Sequence, residues 1–316
     1  METKHLSRRG FIGSSALAAA GMLILPKTNF ASAIFSGADK PNSVVGGVLI
    51  GVTTYSYGHM KNVTAEDMLQ YCLQDNISGV ELRGDAMELS AGAPKKVAGQ
   101  SATDFNKAMA NWRANVPMDK FKEIGKLYKD AGVTIYAYKP VVFGPGNTDE
   151  EINYAFNAAK ALGANHCNCE MPEHNDALTQ RIGDIAAKHK IRIGYHAHTQ
   201  STPTLWDTAM SQSEYNCINL DIGHYVAGNN TDTLAFIEKH HARITSMHFK
   251  DRKVNNGPNT EFGLGDTPIK EVLLLMKQKK YKFPATIELE YKVPAGSTDV
   301  KEVAKCREYM AAILSA

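Results

Sequence analysis

The sequence predicts a (β/α)8 barrel, and three observations carry that prediction. From residue 49 onward short apolar runs alternate with amphipathic ones, giving eight strand-helix units in about 280 residues, the period of that fold. Four consecutive apolar segments of the C-terminal half end on a residue of metal-ligand type: His196 or His198, Asp221, His248, and Glu288 or Glu290. Parallel strands ending together at a barrel mouth would bring such groups together, whereas a doubly wound open sheet gathers its site at one switch point. Finally, a chain of 316 residues, 43% hydrophobic and 22% charged, suits one large domain or two small ones with a substantial core.

In order along the chain, residues 49–56 read as a strand and 64–75 as a helix, opened by Thr64 with Asp67 three residues on in a near capping box. Residues 79–83 are the second strand. Residues 118–131 form a helix that begins just after Pro117. A strand over 133–139 precedes a helix over 149–162 that Gly163 ends, and a strand over 164–170 precedes a helix over 176–188. The second half repeats the alternation: strands over 191–198, 217–221, 244–250 and 285–290, with helices over 204–210, 231–241, 268–279 and 299–314. Two βα connections are long: 85–116, with Trp112, Arg113 and little apolar periodicity, and 251–267, with Gly263-Leu264-Gly265-Asp266. Long loops on that face of a barrel commonly act as lids.

The N-terminus has a different character. Ser7-Arg8-Arg9-Gly10-Phe11-Ile12 resembles a twin-arginine export signal, followed by a small and apolar run over 12–25 and an A-x-A-type cleavage site at Ala31-Ser32-Ala33. The expected organisation is a removed signal at 1–33, a linker at 34–48 and a single barrel domain at 49–316, exported to the periplasm. The apolar run is short for a membrane span and rich in Gly, Ala and Ser, so no membrane partner is expected once the signal is gone. Cys72, Cys167, Cys169, Cys217 and Cys306 show no disulfide spacing and read as buried small hydrophobes, Cys167-x-Cys169 being too weak a pattern for zinc. With 35 Lys and Arg against 33 Asp and Glu the net charge is +2 and no basic run occurs, which disfavours nucleic acid.

Strand alternation groups the chemistry. Gly194, His196 and His198 share a face, as do Cys217, Asn219 and Asp221, then Ile244, Ser246 and His248, then Thr286, Glu288 and Glu290. Ile193, Ile218, Leu220, Ile287 and Leu289 take the opposite face, so polar groups point in and apolar ones toward the helices. Leu220-Asp221-Ile222-Gly223-His224, Met247-His248-Phe249-Lys250-Asp251 and Ile287-Glu288-Leu289-Glu290 resemble the D-x-G-H, H-x-K-D and terminal glutamate motifs of the xylose isomerase-like TIM barrels, the sugar phosphate isomerase/epimerase family. The resemblance spans about residue 50 to the C-terminus, and the combined order is what makes it specific.

That resemblance implies a divalent cation, manganese first with Zn, Co, Fe or Mg as alternatives, held by a glutamate, an aspartate, a histidine and a second glutamate. Asp221, His248 and Glu288 match directly. The first glutamate does not, because the fifth strand carries Tyr195-His196-Ala197-His198, resembling a Y-H-N-H variant. Glu170, ending the fourth strand, is the replacement carboxylate in this reading, with His196 open as ligand or substrate contact. Glu170 or Glu288 is the expected base and His196 or His198 the acid or orienting group. Lys250 either pairs with Asp251 or stabilises an oxyanion. Glu81, Arg83 and Lys139 are expected at the mouth on substrate hydroxyls, Trp112 either packing a loop or stacking on the sugar. His224 and Glu290 either orient the ligands or touch substrate. His59, His174, His189, His240 and His241 are expected at the surface.

The implied chemistry is proton abstraction next to a carbonyl, as in aldose-ketose isomerisation or epimerisation. Export favours a neutral sugar or keto sugar over a sugar phosphate. A β-eliminating lyase or dehydratase on a 3-keto glycoside or inosose uses the same scaffold, and a non-catalytic sugar-binding barrel is the third reading. An apurinic endonuclease-like activity would need a basic groove that the charge does not supply. A small-molecule sugar is thus the expected partner, with a homo-oligomer left open.

Overall fold

Eight parallel strands close on themselves in the computed structural model, which describes residues 40–60 and 63–316. The expected export signal, 1–33, lies outside the described residues, as does the linker as far as residue 39. The strands are β1 (Val48–Thr53), β2 (Gly79–Arg83), β3 (Thr134–Lys139), β4 (His166–Glu170), β5 (Arg192–His196), β6 (Asn216–Asp221), β7 (Ile244–Phe249) and β8 (Ala285–Ile287). Each pairs in parallel with its sequence neighbour, and β8 pairs with β1 to complete the (β/α)8 barrel. The end of the expected linker is a short strand, Val44–Val45, antiparallel to β1.

Helices α1 (Ala65–Gln74), α2 (Gly84–Ser90), α3 (Ala102–Asn115), α4 (Asp119–Ala131), α5 (Asp149–Leu162) and α6 (Asp176–His189) cover the first half. Helices α7 (Asp207–Gln212), α8 (Ile222–Ala227), α9 (Thr233–His240), α10 (Ile269–Lys279) and α11 (Asp299–Ser315) cover the second. Thr64 and Asp67 do form a capping box at α1, as Thr148 and Glu151 do at α5, each cap being worth about 1 kcal/mol. Gly163, at φ +81°, ends α5 in the left-handed conformation that a glycine adopts without steric cost.

The connection over 85–116 corrects one expectation, because most of it is helical. Along α3 only Met109 is buried, and the Ser101 cap on the Asp104 amide starts the helix. A helix carried by its cap and by polar residues shows no apolar period, so periodicity could not reveal it. The connection over 251–267 is long, as expected, and holds a two-residue ladder, Asp251–Arg252 against Asn259–Thr260. The Asp251 carboxylate accepts amide N–H groups from Gly263, Gly265 and Thr267, so the glycine-rich stretch wraps around it. A Cβ at Gly265 would run into that carboxylate.

Outward-facing Ile50, Val52, Val80, Leu82, Ile193, Ile218 and Leu220 are fully buried under the helices and form the main core. The barrel interior is instead polar. Ser246 Oγ is 2.8 Å from Asn219 Nδ2, 3.1 Å from Asn168 Nδ2 and 3.2 Å from His166 Nε2, so β4, β6 and β7 share one hydroxyl. Across the barrel Tyr136 and Thr286 are hydrogen-bonded at 2.8 Å. Gly194 sits among these groups because a Cβ there would strike the Asn168 amide and the Thr245 hydroxyl. Gly194→Ala should therefore cost about 1–3 kcal/mol. Denaturant titration reads this as a lower midpoint at unchanged slope; an unaltered midpoint would mean that the interior is not packed this way.

Candidate functional site

Strand ends assemble the site. His196 is the last residue of β5 and Asp221 the last of β6; His248 lies one residue before the end of β7, and Glu288 follows β8 directly. One candidate ligand atom from each lies within 4.8 Å of the others, and all four residues are buried. His196 Nδ1 faces Asn219 Oδ1 at 2.8 Å, which leaves Nε2 as its ligand atom. Asp221 Oδ1 accepts the His224 amide at 2.7 Å, so the same carboxylate ends β6 and caps α8. Its Oδ2 is buried and accepts no well-directed hydrogen bond, with the Lys250 ammonium 3.1 Å away as an ion-pair partner. Two imidazoles and two carboxylates converging in a dry pocket, one oxygen still unsatisfied, fit a divalent transition-type cation.

Charge surrounds this group on all sides. His248 lies between Glu288 Oε2 at its Nδ1 and Glu81 Oε2 at its Nε2, both at 3.0 Å. Burial disfavours the imidazolium, but the two glutamates outweigh it and raise its pKa to about 10. In return, although burial pushes the Glu81 carboxyl up, the His248 charge, Lys139 and the Asn168 amide bring it down to about 2. Lys250 Nζ stands 2.8 Å from Glu288, 3.1 Å from Asp221 and 2.6 Å from Glu290. Burial raises the Asp221 carboxyl more than Lys250 lowers it, while Lys250 and His248 overcome burial to hold Glu288 well below the ordinary range. His224 has Lys250 Nζ at 2.9 Å and Arg252 Nη1 at 2.6 Å, and burial followed by the Lys250 charge drops its pKa to about 2.

A second group lies at the rim. Glu170, expected among the ligands, is instead a side chain 55% exposed, with Oε1 2.9 Å from Lys139 Nζ and Oε2 3.6 Å from His198 Nε2. His198 is half exposed in the turn after β5. The other expected mouth residues separate. Glu81 is fully buried and serves His248, with Thr53 and Asn168 donating to it, so it cannot meet a substrate hydroxyl. Arg83 pairs with Asp85 and covers the Tyr55 ring at 4.0 Å. Trp112 packs edge-on against Tyr154, in line with the loop-packing reading. Glu290 is partly exposed beside Lys250. Of the histidines expected at the surface, His240 is buried against Phe236.

Tyr55 and Arg252 join the site without a signal in the sequence that marks them out; Asn168 and Asn219 could be found, since they share parity with Glu170 and Asp221. A cavity of 970 Å³ is lined by Arg83, Asp85 and residues of α2 and α3, and by none of the four converging groups.

A sequence model of the family described as xylose isomerase-like TIM barrel matches residues 85–310, more than half of the chain. Among solved structures, a sugar phosphate isomerase/epimerase from Parabacteroides distasonis aligns at 18% identity and TM-score 0.59, over 87% of this chain and 98% of its own. The 3-keto-D-glucoside 4-epimerase from E. coli aligns at 11% identity and TM-score 0.56, over 84% and 99%. A xylose isomerase-like TIM barrel protein from Mycobacterium smegmatis in complex with magnesium aligns at 12% identity and TM-score 0.54, over 85% and 97%. At these identities the likeness is one of fold. No curated protein matches the chain.

The electrostatics make one feature of cation binding measurable. A pKa near 10 means that His248 carries its proton at neutral pH, and a protonated imidazole has no lone pair for a metal. Above about pH 8, where the Asp221 carboxyl, raised by burial to about 7, is already ionised, binding should therefore release about one proton from His248 and affinity should rise about tenfold per pH unit, with a steeper fall below about pH 7 as Asp221 also takes up a proton. Calorimetry in buffers of different ionisation enthalpy counts the proton. Release of none would remove His248 from the ligand set.

Proposed function

The chain belongs to the xylose isomerase-like TIM barrel family, and on that footing we propose a divalent-metal-dependent sugar isomerase or epimerase that moves a proton beside a carbonyl. The observation that carries this reading is the pairing of two neighbouring groups: the buried set His196, Asp221, His248 and Glu288, and the exposed Glu170 held between Lys139 and His198.

His196, Asp221, His248 and Glu288 would hold the cation; their mixed imidazole and carboxylate donors suit Mn, Fe, Co or Zn, and the family resemblance puts manganese first. When bound it would act as a Lewis acid on oxygens beside the reacting C–H bond. Glu170 is the base in this reading: it is more exposed than Glu290, 55% against 40%, and Lys139 keeps it in place. His198, 3.6 Å from Glu170, returns the proton, and Lys139 steadies charge on the substrate oxygen. Lys250 has a different task. Buried among Asp221, Glu288 and Glu290, it offsets their mutual repulsion so that the carboxylates can share one site.

A neutral sugar suits the mouth better than a sugar phosphate, because Arg83 and Lys139 are already paired with Asp85 and Glu170. The twin-arginine motif supports action in the periplasm, where sugar phosphates are scarce. The second reading is β-elimination from a keto sugar. It is favoured by the placing of Lys139 and Glu170 on adjacent strand ends, which sets an acid and a base on one side of the site rather than two opposed carboxylates.

Two variants separate these roles. Asp221→Ala should abolish stoichiometric metal, while Glu170→Gln should keep the metal and slow solvent deuterium incorporation by about 10²–10⁴-fold. Elemental analysis and mass spectrometry on a panel of aldoses, ketoses and 3-keto glycosides give both numbers, and release of an aglycone would select the lyase. Wild-type protein without metal, unchanged by Asp221→Ala, would overturn the enzyme reading. Glu288→Gln without effect would leave only a sugar-binding barrel.

A further inference from the structure

A pocket of 340 Å³ opens off the mouth between the loops that follow β3 and β4, and its walls are chemically divided. One wall is polar, formed by Lys139 and Glu170. The floor is apolar: Val142, Phe143 and Leu178 are buried beneath it, with Met171 beside them. Val141 stands at the lip, 72% exposed, and Tyr55 forms the opposite edge, its ring fixed by the Arg83 guanidinium at 4.0 Å. A free sugar presents hydroxyls in every direction and gains little from such a surface. An exposed valine above an apolar floor, in a pocket that the Glu170 carboxylate also lines, marks a contact made by something apolar on the substrate itself.

We propose that this pocket receives an aryl aglycone, so that the substrate is an aryl glycoside, or its keto form, rather than a free monosaccharide; this rests on the sugar reading of the site above. The size agrees, since an apolar cavity of about 150 Å³ already accepts benzene and the pocket has room for a substituted ring. The geometry is also consistent. With the sugar lying between the buried four-residue group and Glu170, the next space outward along β3 and β4 is this pocket.

The test uses the metal-loaded mature chain and titrates it with matched methyl and phenyl β-glycosides of glucose, galactose and xylose, with the 3-keto forms of the same glycosides, and with 4-fluorophenol followed by ¹⁹F NMR. For a sugar that binds, the phenyl glycoside should bind about tenfold more tightly than the methyl one and displace 4-fluorophenol. In Val141→Ser/Met171→Ser the phenyl advantage should vanish, with methyl glycoside affinity and metal content unchanged. Equal affinity for phenyl and methyl glycosides in the wild type would overturn the proposal. If no glycoside binds, the sugar reading has failed on its own account. Saturable 4-fluorophenol binding, lost in the double variant, would then still support an aryl pocket, and its absence would overturn it.

Discussion

A buried imidazole between two glutamates organises this molecule. His248 is entirely enclosed, yet Glu81 and Glu288 each meet one of its ring nitrogens at 3.0 Å, and the three charges make one another tolerable in a space that water does not reach. Removing the imidazolium would leave two buried carboxylates without the cation that lies between them. Other choices follow from this. Asn168 and Thr53 satisfy the remaining valences of Glu81, and Lys250 is drawn in beneath Asp221 and Glu288. The strands around the group end on polar side chains where an ordinary barrel would carry aliphatic layers.

The frame was legible in the sequence because its signals are local. Strand β2 and helix α5 begin and end where Gly79, Arg83, Asp149 and Gly163 place them, and the Thr64–Asp67 cap is visible as two residues. Period-two alternation also placed Asp221, His248 and Glu288 on the inner face. What stayed hidden was depth. Alternation says which way Glu81 and Glu170 point but not how far along the barrel axis they lie, so Glu81 reads as a substrate contact at the mouth and Glu170 as a metal ligand. In the fold Glu81 falls below the rim, beside His248, and Glu170 rises above it, beside Lys139. The fourth member of the buried group shows the same limit: the sequence leaves Glu170 and His196 both open, and the donor that lies with the other three is His196. Helix α3 was missed for another reason, since its stability comes from its cap and not from an apolar stripe.

The loop after β7 shows how the mouth is kept in shape. Asp251 gathers three backbone amides, and its neighbour Arg252 reaches His224, which follows the ligand-type Asp221. The loop and the strand ends are thus tied by hydrogen bonds to two adjacent residues. Tied in this way, the loop is held as one piece against α8 through the contact between Arg252 and His224.

The shared hydroxyl inside the barrel has a consequence for how such a protein can change. Ser246 meets His166, Asn168 and Asn219, and through the two asparagines it is linked to Glu81 on one side and His196 on the other. A substitution at any of these positions alters what its neighbours can accept, so their effects are non-additive. Mutational routes to a new reaction on this scaffold would therefore pass through coordinated replacements in the barrel interior, with the order of the steps deciding which intermediates still fold.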